Sequence, residues 1–311
     1  MVSTALIYQV GLLFLMLIPG IIMSKCGLST PGLGKGLANL VLYVAQPALI
    51  VVAYIRAFDQ EILFNAIWVF IFSVLSHFLF AGVAFLCFRK AEDGKQKILR
   101  FATIFSNAAY MGIPLIVAVL DAEAAIYASV YNITFNLFLW SLGVMICTGD
   151  KKQASFKRVL LHPVTISAAI GLAIFLLPID TYVPTILIEG MNMLKDLVAP
   201  LSMIIIGLRL ADLKFAGIFR DRYLYEFLFV RMLFLPTAVF GIMKLLSLFL
   251  PGINQTVMTV ILVTAATPAA TATSMFAEKY DGDATYAGTL VSISTLLAVL
   301  TMPLVSLLLN V

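Results

Sequence analysis

The chain has 311 residues, of which 62% are apolar and only 12% charged, with a mean hydropathy of +1.06. That balance excludes a soluble globular domain, in which charged residues make up roughly a quarter. The net charge of +4 lies in short clusters between apolar runs, so it reflects membrane topology and not nucleic-acid binding.

Ten membrane spans are predicted, at about 5–24, 36–57, 63–88, 98–120, 123–147, 159–178, 184–208, 223–249, 255–277 and 284–309, each near the roughly 20 residues a bilayer crossing needs. The first apolar run, Leu6 to Met23, has no Lys or Arg before Lys25 and no cleavage site; it reads as a span and not as a removed signal peptide. With the N-terminus outside, sixteen of the twenty Lys and Arg residues fall in cytoplasmic connections, which places both termini outside by the positive-inside rule. The three cysteines, Cys26, Cys87 and Cys147, sit near cytoplasmic span ends without metal-ligand spacing, so free thiols are expected.

Within the spans, charged and titratable residues are few. His77 stands mid-span in the third, where a hydrogen bond to a neighbouring helix outweighs a proton relay. Lys195 and Asp196 read as self-paired near the outer leaflet, ahead of a functional carboxylate. Glu226, between Arg222 and Arg231, reads as a local ion pair at the cytoplasmic end of span eight.

Span four carries Ser106-Asn107-Ala108-Ala109-Tyr110-Met111-Gly112-Ile113-Pro114, and span nine carries Thr264-Ala265-Ala266-Thr267-Pro268-Ala269-Ala270-Thr271. A proline at mid-span removes a hydrogen bond and clashes with the preceding turn, so both helices are expected to break, at Pro114 and at Pro268. The halves of the chain also match. Pro47, Arg56 and Asp59 recur 153 residues later as Pro200, Arg209 and Asp212, and Pro47 to Pro114 spans 67 residues against 68 from Pro200 to Pro268. Five spans per repeat is odd, so the second copy, residues 151–311, inserts upside-down relative to the first, residues 1–150, as in several families of secondary transporter.

A broken spanning helix leaves backbone groups that cost several kcal/mol each in hydrocarbon unless replaced partners are found. If spans four and nine cross at their breaks, two half-helix N-termini meet near the midplane, each with about half a positive charge, which suits an anion. Asn107, Tyr110, Thr267, Thr271, Thr273 and Ser274 supply neutral donors and acceptors there. Asn132 and Asn136 share one face of span five, and small residues such as Gly112 permit close backbone approach, although ordinary helix packing accounts for most of these. No catalytic triad, metal cluster or phosphate-binding loop competes, which leaves a secondary carrier, a channel or a non-transporting receptor.

The stretch Phe105-x-Asn107-x-x-Tyr110-Met111-Gly112-Ile113-Pro114-Leu115 resembles the span-four signature of the auxin efflux carrier family, which includes bacterial permeases and plant PIN-type transporters. Ala266-Thr267-Pro268-Ala269, followed by Ser274, Phe276, Ala277, Tyr280, Asp283, Ala287 and Pro303, is similar to its C-terminal signature. The resemblance implies an all-α fold of ten helices in an inverted five-plus-five repeat, like that of bile-acid sodium symporters. In that fold spans 1, 2, 6 and 7 form a scaffold, spans 3–5 and 8–10 a transport domain, and spans 4 and 9 cross. Plant members carry an Asn-Pro-Asn type segment where this chain has Thr267-Pro268-Ala269, which weighs against auxin itself, and the resemblance points instead to small organic anions such as malate or malonate.

The expectation is therefore a non-enzymatic inner-membrane carrier of a small carboxylate working by elevator-type alternating access. The alternative is a receptor that binds the anion in the same pocket without moving it. Asn107, Tyr110, Gly112, Pro114, Asn132, Asn136, Thr267, Pro268, Thr271 and Ser274 are the candidate substrate-binding residues. No cofactor or resident metal is expected. Coupling to sodium, which the carbonyl ends with Thr271, Thr273 and Ser274 could ligate, or to protons is left open. The partners expected are the anion, the lipid bilayer and a second copy through the scaffold helices.

Overall fold

Large apolar side chains, Phe78, Leu86, Leu177, Leu245 and Leu300 among them, stand exposed along the flanks of the helices, as on a surface that meets lipid and not water. The computed structural model describes residues 2–30, 32–120, 123–177, 179–211, 218–250 and 253–310. In chain order its main helices are α1 (Thr4–Lys25), α2 (Leu33–Tyr54), α3 (Gln60–Cys87), α4 (Asp93–Ile104), α5 (Ala108–Leu120), α6 (Ala124–Thr148), α7 (Pro163–Leu176), α8 (Thr185–Lys195), α9 (Val198–Ala211), α10 (Arg222–Ser247), α11 (Gln255–Ala266), α12 (Ala272–Lys279) and α13 (Ala284–Asn310). Six of them (α1, α2, α3, α6, α10 and α13) are long and apolar enough to cross a bilayer, and α7 makes a seventh if joined across a 41° bend to the Lys151–Leu160 segment. The expected spans at 98–120, 184–208 and 255–277 are each divided into two shorter helices.

Prolines explain much of this pattern, by two different routes. Pro200 offers no N–H to the Asp196 carbonyl and crowds it, and the chain turns at Asp196 and Leu197 before α9 begins. Asp196 itself is exposed at that turn. Three other prolines are absorbed without a break. A wide π turn ends two residues before each of them: Val41–Ala45 before Pro47, Ala108–Gly112 before Pro114 and Val230–Phe234 before Pro236. The extra residue in the turn moves the carbonyl that the ring would strike, so the helix continues. Pro114 thus lies inside α5, and the expectation that it marks the break is corrected. The interruption in the first half is at Phe105–Asn107, whereas Pro268 does sit in the second.

The spacing between the halves also changes along the chain. Asp212 lies outside the described residues, but the residue that caps the next helix is Asp221, which accepts from the Tyr223 N–H as Asp59 accepts from the Glu61 N–H. Those caps are 162 residues apart, and so are the starts of the two 12-residue helices α4 and α11. The offset grows from 153 to 162 because the connection from Arg209 to Asp221 is nine residues longer than that from Arg56 to Asp59. The matching 67- and 68-residue proline intervals therefore do not pair equivalent positions.

Helices α1 and α9 cross at backbone contact. A Cβ on Gly20 would fall 2.2 Å from the Ile204 carbonyl oxygen, and one on Gly207 would fall 2.2 Å from that of Leu17. Gly171 on α7 is equally confined, by the Tyr54 ring of α2. At Gly112, by contrast, a Cβ would meet side-chain atoms at 3.6–3.7 Å, ordinary van der Waals contact, which fits ordinary helix packing at this position. Gly207→Ala should lower stability by about 1–3 kcal/mol through overpacking, read as a fall in Tm in detergent, while Gly112→Ala should leave Tm unchanged.

At one end of the bundle Asp221 joins three helix starts. Its carboxylate accepts from Lys95 Nζ at 2.9 Å on α4 and from the Tyr286 hydroxyl at 3.0 Å on α13, besides capping α10. Burial pushes this carboxyl up, but the hydrogen bonds from Lys95, the Tyr223 N–H and Tyr286 outweigh it, and it titrates below the usual carboxylate value. A lowered pKa contributes stability that is complete above the unfolded value of roughly 4 and is lost as pH falls through the folded one. Asp221→Asn should cost about 1–2 kcal/mol at neutral pH and flatten the acid limb of a Tm-versus-pH curve.

Candidate functional site

The two interruptions meet. Asn107 N–H donates to the Pro268 carbonyl and Ala270 N–H to the Phe105 carbonyl, both at 2.8 Å, which makes Ser106 and Ala269 an isolated antiparallel bridge. The chains run in opposite directions through the crossing, with the C-terminal ends of α4 and α11 and the N-terminal ends of α5 and α12 gathered around it. Most of the backbone freed by the breaks finds named partners. Ser294 Oγ on α13 accepts from Ala269 N–H at 3.2 Å, and Gln46 Nε2 on α2 donates to the Ala109 carbonyl at 3.0 Å. Arg231 Nη2 donates to the Thr267 carbonyl at 2.8 Å, and Arg209 Nη1 to that of Thr271 at a longer 3.4 Å.

Around this crossing the candidate residues divide. Asn107 is 2% exposed, and its side-chain Nδ2 has no partner. Tyr110 lies within electrostatic reach of Arg209, and Thr271 carries the carbonyl that Arg209 contacts. Ser274 lines an open cleft between α9, α12 and α13, together with Arg209, Glu278, Thr285, Thr289 and Ser292. Pro268 and Thr267 form the crossing itself, the Thr267 hydroxyl turning back to the Thr264 carbonyl at 2.8 Å. The remaining residues stand apart from the cleft. Asn132 and Asn136 are buried and donate to backbone carbonyls of their own helix, Ala128 at 3.3 Å and Asn132 at 2.9 Å. Gly112 and Pro114 belong to the π turn and helix that follow the crossing.

Two readings of titratable residues are corrected. His77 is fully buried, and its Nδ1 bonds the Ser73 carbonyl of its own helix at 2.7 Å, not a neighbouring helix. Because a carbonyl only accepts, Nδ1 carries the proton, and Nε2 is left without a partner, while the imidazole stacks on Phe138 with ring centroids 4.8 Å apart. Arg231 does not pair with Glu226. It is 0% exposed and points into the crossing. Five residues along a helix turn the side chain by about 140°, so Glu226 and Arg231 never shared a face.

Arg209 and Gln46 also reach the crossing, and neither is among the candidate binding residues. The match of Arg209 with Arg56 at equal spacing was the signal for the first. Arg56 itself lies at the other end of the molecule, ion-paired to Glu123 at 2.7 Å. There it joins α2 to the start of α6 beside Lys195, in a smaller recess.

Two interrupted helices are thus paired through their breaks beside a charged cleft in a chain of apolar helices. The membrane transport protein family matches residues 5–158 and 152–306. The chain belongs to this family. An uncharacterized transporter of Methanothermobacter thermautotrophicus is 25% identical over 306 residues, 97% of each chain. This is a multi-pass membrane transporter, consistent with its six or seven apolar spanning helices.

The bridge geometry sets up a direct check. Ser106 and Ala269 form a non-hydrogen-bonded antiparallel pair, for which Cα atoms lie about 4.5 Å apart, within disulfide range. With the three native cysteines replaced, Ser106→Cys combined with Ala269→Cys should oxidise to a disulfide, seen as a mobility shift that reductant reverses. A pair placed at Pro114 and Pro268 should not.

Proposed function

We propose that the protein is a ten-span secondary carrier of a small organic anion, built as an inverted five-plus-five repeat and working by alternating access. Counting each interrupted pair, α4–α5, α8–α9 and α11–α12, as one crossing brings the seven long spans to ten. The equal lengths of α4 and α11, the matched aspartate caps of α3 and α10, and the antiparallel pairing of the two breaks support the inversion. The grouping of α1, α2, α7, α8 and α9 into a scaffold is supported by the glycine contacts of α1 with α9 and of α2 with α7. Loop charge supports an inner-membrane orientation with both termini outside.

The observation that carries the substrate class is Arg209. It is a cation on the scaffold side, set at the head of the open cleft and reaching the second broken helix at Thr271. An incoming carboxylate would exchange with Glu278, on the opposite wall, as the counterion of Arg209. It would find neutral donors in Tyr110, Ser274 and the unpartnered amide of Asn107. Charge-assisted contacts to a guanidinium are the stronger kind of hydrogen bond, which favours carboxylates over neutral solutes. At the far end the Arg56–Glu123 ion pair ties the two parts together, so access is from the cleft side. Movement of the crossing helices past the scaffold would break that pair and carry the solute across. Malate, malonate and auxin-like acids are the class to screen.

In proteoliposomes the protein should exchange labelled carboxylate for unlabelled. Arg209→Ala should weaken apparent affinity by about tenfold or more, and Asn107→Ala should reduce flux with Tm preserved. Saturable binding with no counterflow for any carboxylate would convert the reading to a receptor.

A further inference from the structure

Arg231 lies in the π turn of α10, nine residues beyond Arg222 and so about 14 Å along the helix from its start. A guanidinium buried at that depth is costly unless paired. No carboxylate is ion-paired to it among the described residues, and the polar side chains within electrostatic reach are His77 and Tyr131. Its partner is the open end of an interrupted helix. Nη2 holds the carbonyl of Thr267, the first residue past α11, where unpaired carbonyls collect about half a negative charge. The Phe80 ring face covers the guanidinium, 5.4 Å from Cζ, while Nε and Nη1 have no partner.

A free alkali cation at the crossing would need a cluster of oxygen ligands at the same carbonyl ends. Two of the carbonyls are engaged, Thr267 by Arg231 and Pro268 by the Asn107 N–H. Nor do the described residues hold any group of three or more His, Cys, Asp or Glu side chains fit to ligate a metal.

We propose that the Arg231 guanidinium is a tethered cation that fills the place at the crossing where a coupling ion would otherwise sit, so that the protein neither binds sodium there nor needs it for transport. The carrier reading enters only through flux; the stability of the crossing is tested without any solute.

The experiment is thermal unfolding of the purified protein in sodium, lithium, potassium or choline chloride at fixed ionic strength, with counterflow measured in the same salts. Wild-type Tm and flux should be the same in all four. Arg231→Ala should lower Tm and regain part of the loss with guanidinium or a small alkali cation, and Arg231→Lys should behave as wild type. A cation site saturated about 100-fold would raise Tm by roughly 5 °C, so a sodium-specific rise of that size in the wild type, or sodium-dependent counterflow, would overturn the proposal. Full stability of Arg231→Met without any cation response would overturn it equally. Should Arg231→Ala not fold, the wild-type titration and Arg231→Lys still decide. Failure of the anion reading would show separately, as an absence of any carboxylate-induced shift with the cation results unchanged.

Discussion

Two backbone hydrogen bonds, Asn107 to Pro268 and Ala270 to Phe105, hold together what would otherwise be two damaged helices. In hydrocarbon an interrupted helix is tolerable only if its freed donors and acceptors meet protein or water. Here each interruption supplies the other with one donor and one acceptor, so neither half of the chain can form its site alone. The side chains that complete the arrangement come from distant helices: Gln46 from α2, Arg209 from α9, Arg231 from α10 and Ser294 from α13. A backbone defect has become a point where five or more helices converge.

The same economy explains the prolines. Pro200 and Pro268 accompany an actual interruption, and Pro163 follows the 41° bend ahead of α7, whereas Pro47, Pro114 and Pro236 are taken up by π turns. A π turn widens the helix and turns the side chains in it off the regular helical stripe. Arg231 and Tyr110 both occupy such turns, and both point at the crossing or at Arg209. At these three positions proline redirects particular side chains instead of ending the helix.

The membrane class, the pairing of two broken helices and the placement of Asn107, Tyr110, Thr271 and Ser274 at or beside that pairing could be read from residue types and spacing. The exact break in the first half could not. Sequence marks the proline, but the interruption lies seven residues before it, where Phe105, Ser106 and Asn107 are not individually helix breakers and only the partner chain stabilises the extended backbone. Arg231 was visible as a charge in an apolar run, yet the nearest carboxylate in sequence drew it into a pairing that helix geometry forbids. Asn132 and Asn136, alike on one face, serve their own helix instead. Spacing reveals which residues share a face, and it is silent on which neighbour that face meets.

The nine additional residues between Arg209 and Asp221 have a thermodynamic meaning. On the carrier reading the two halves exchange roles as the site turns from one side of the membrane to the other. Equal halves would make the two orientations equal in free energy. The longer connection ends at Asp221, which ties α4, α10 and α13 together, whereas among the described residues Asp59 caps its own helix alone. Nothing in the sequence then holds the two orientations of the empty carrier at equal free energy, and for equal intrinsic affinities the apparent affinities on the two faces differ by the ratio of the two populations. The direction of net flow is untouched by that asymmetry, because only the gradients across the membrane can set it.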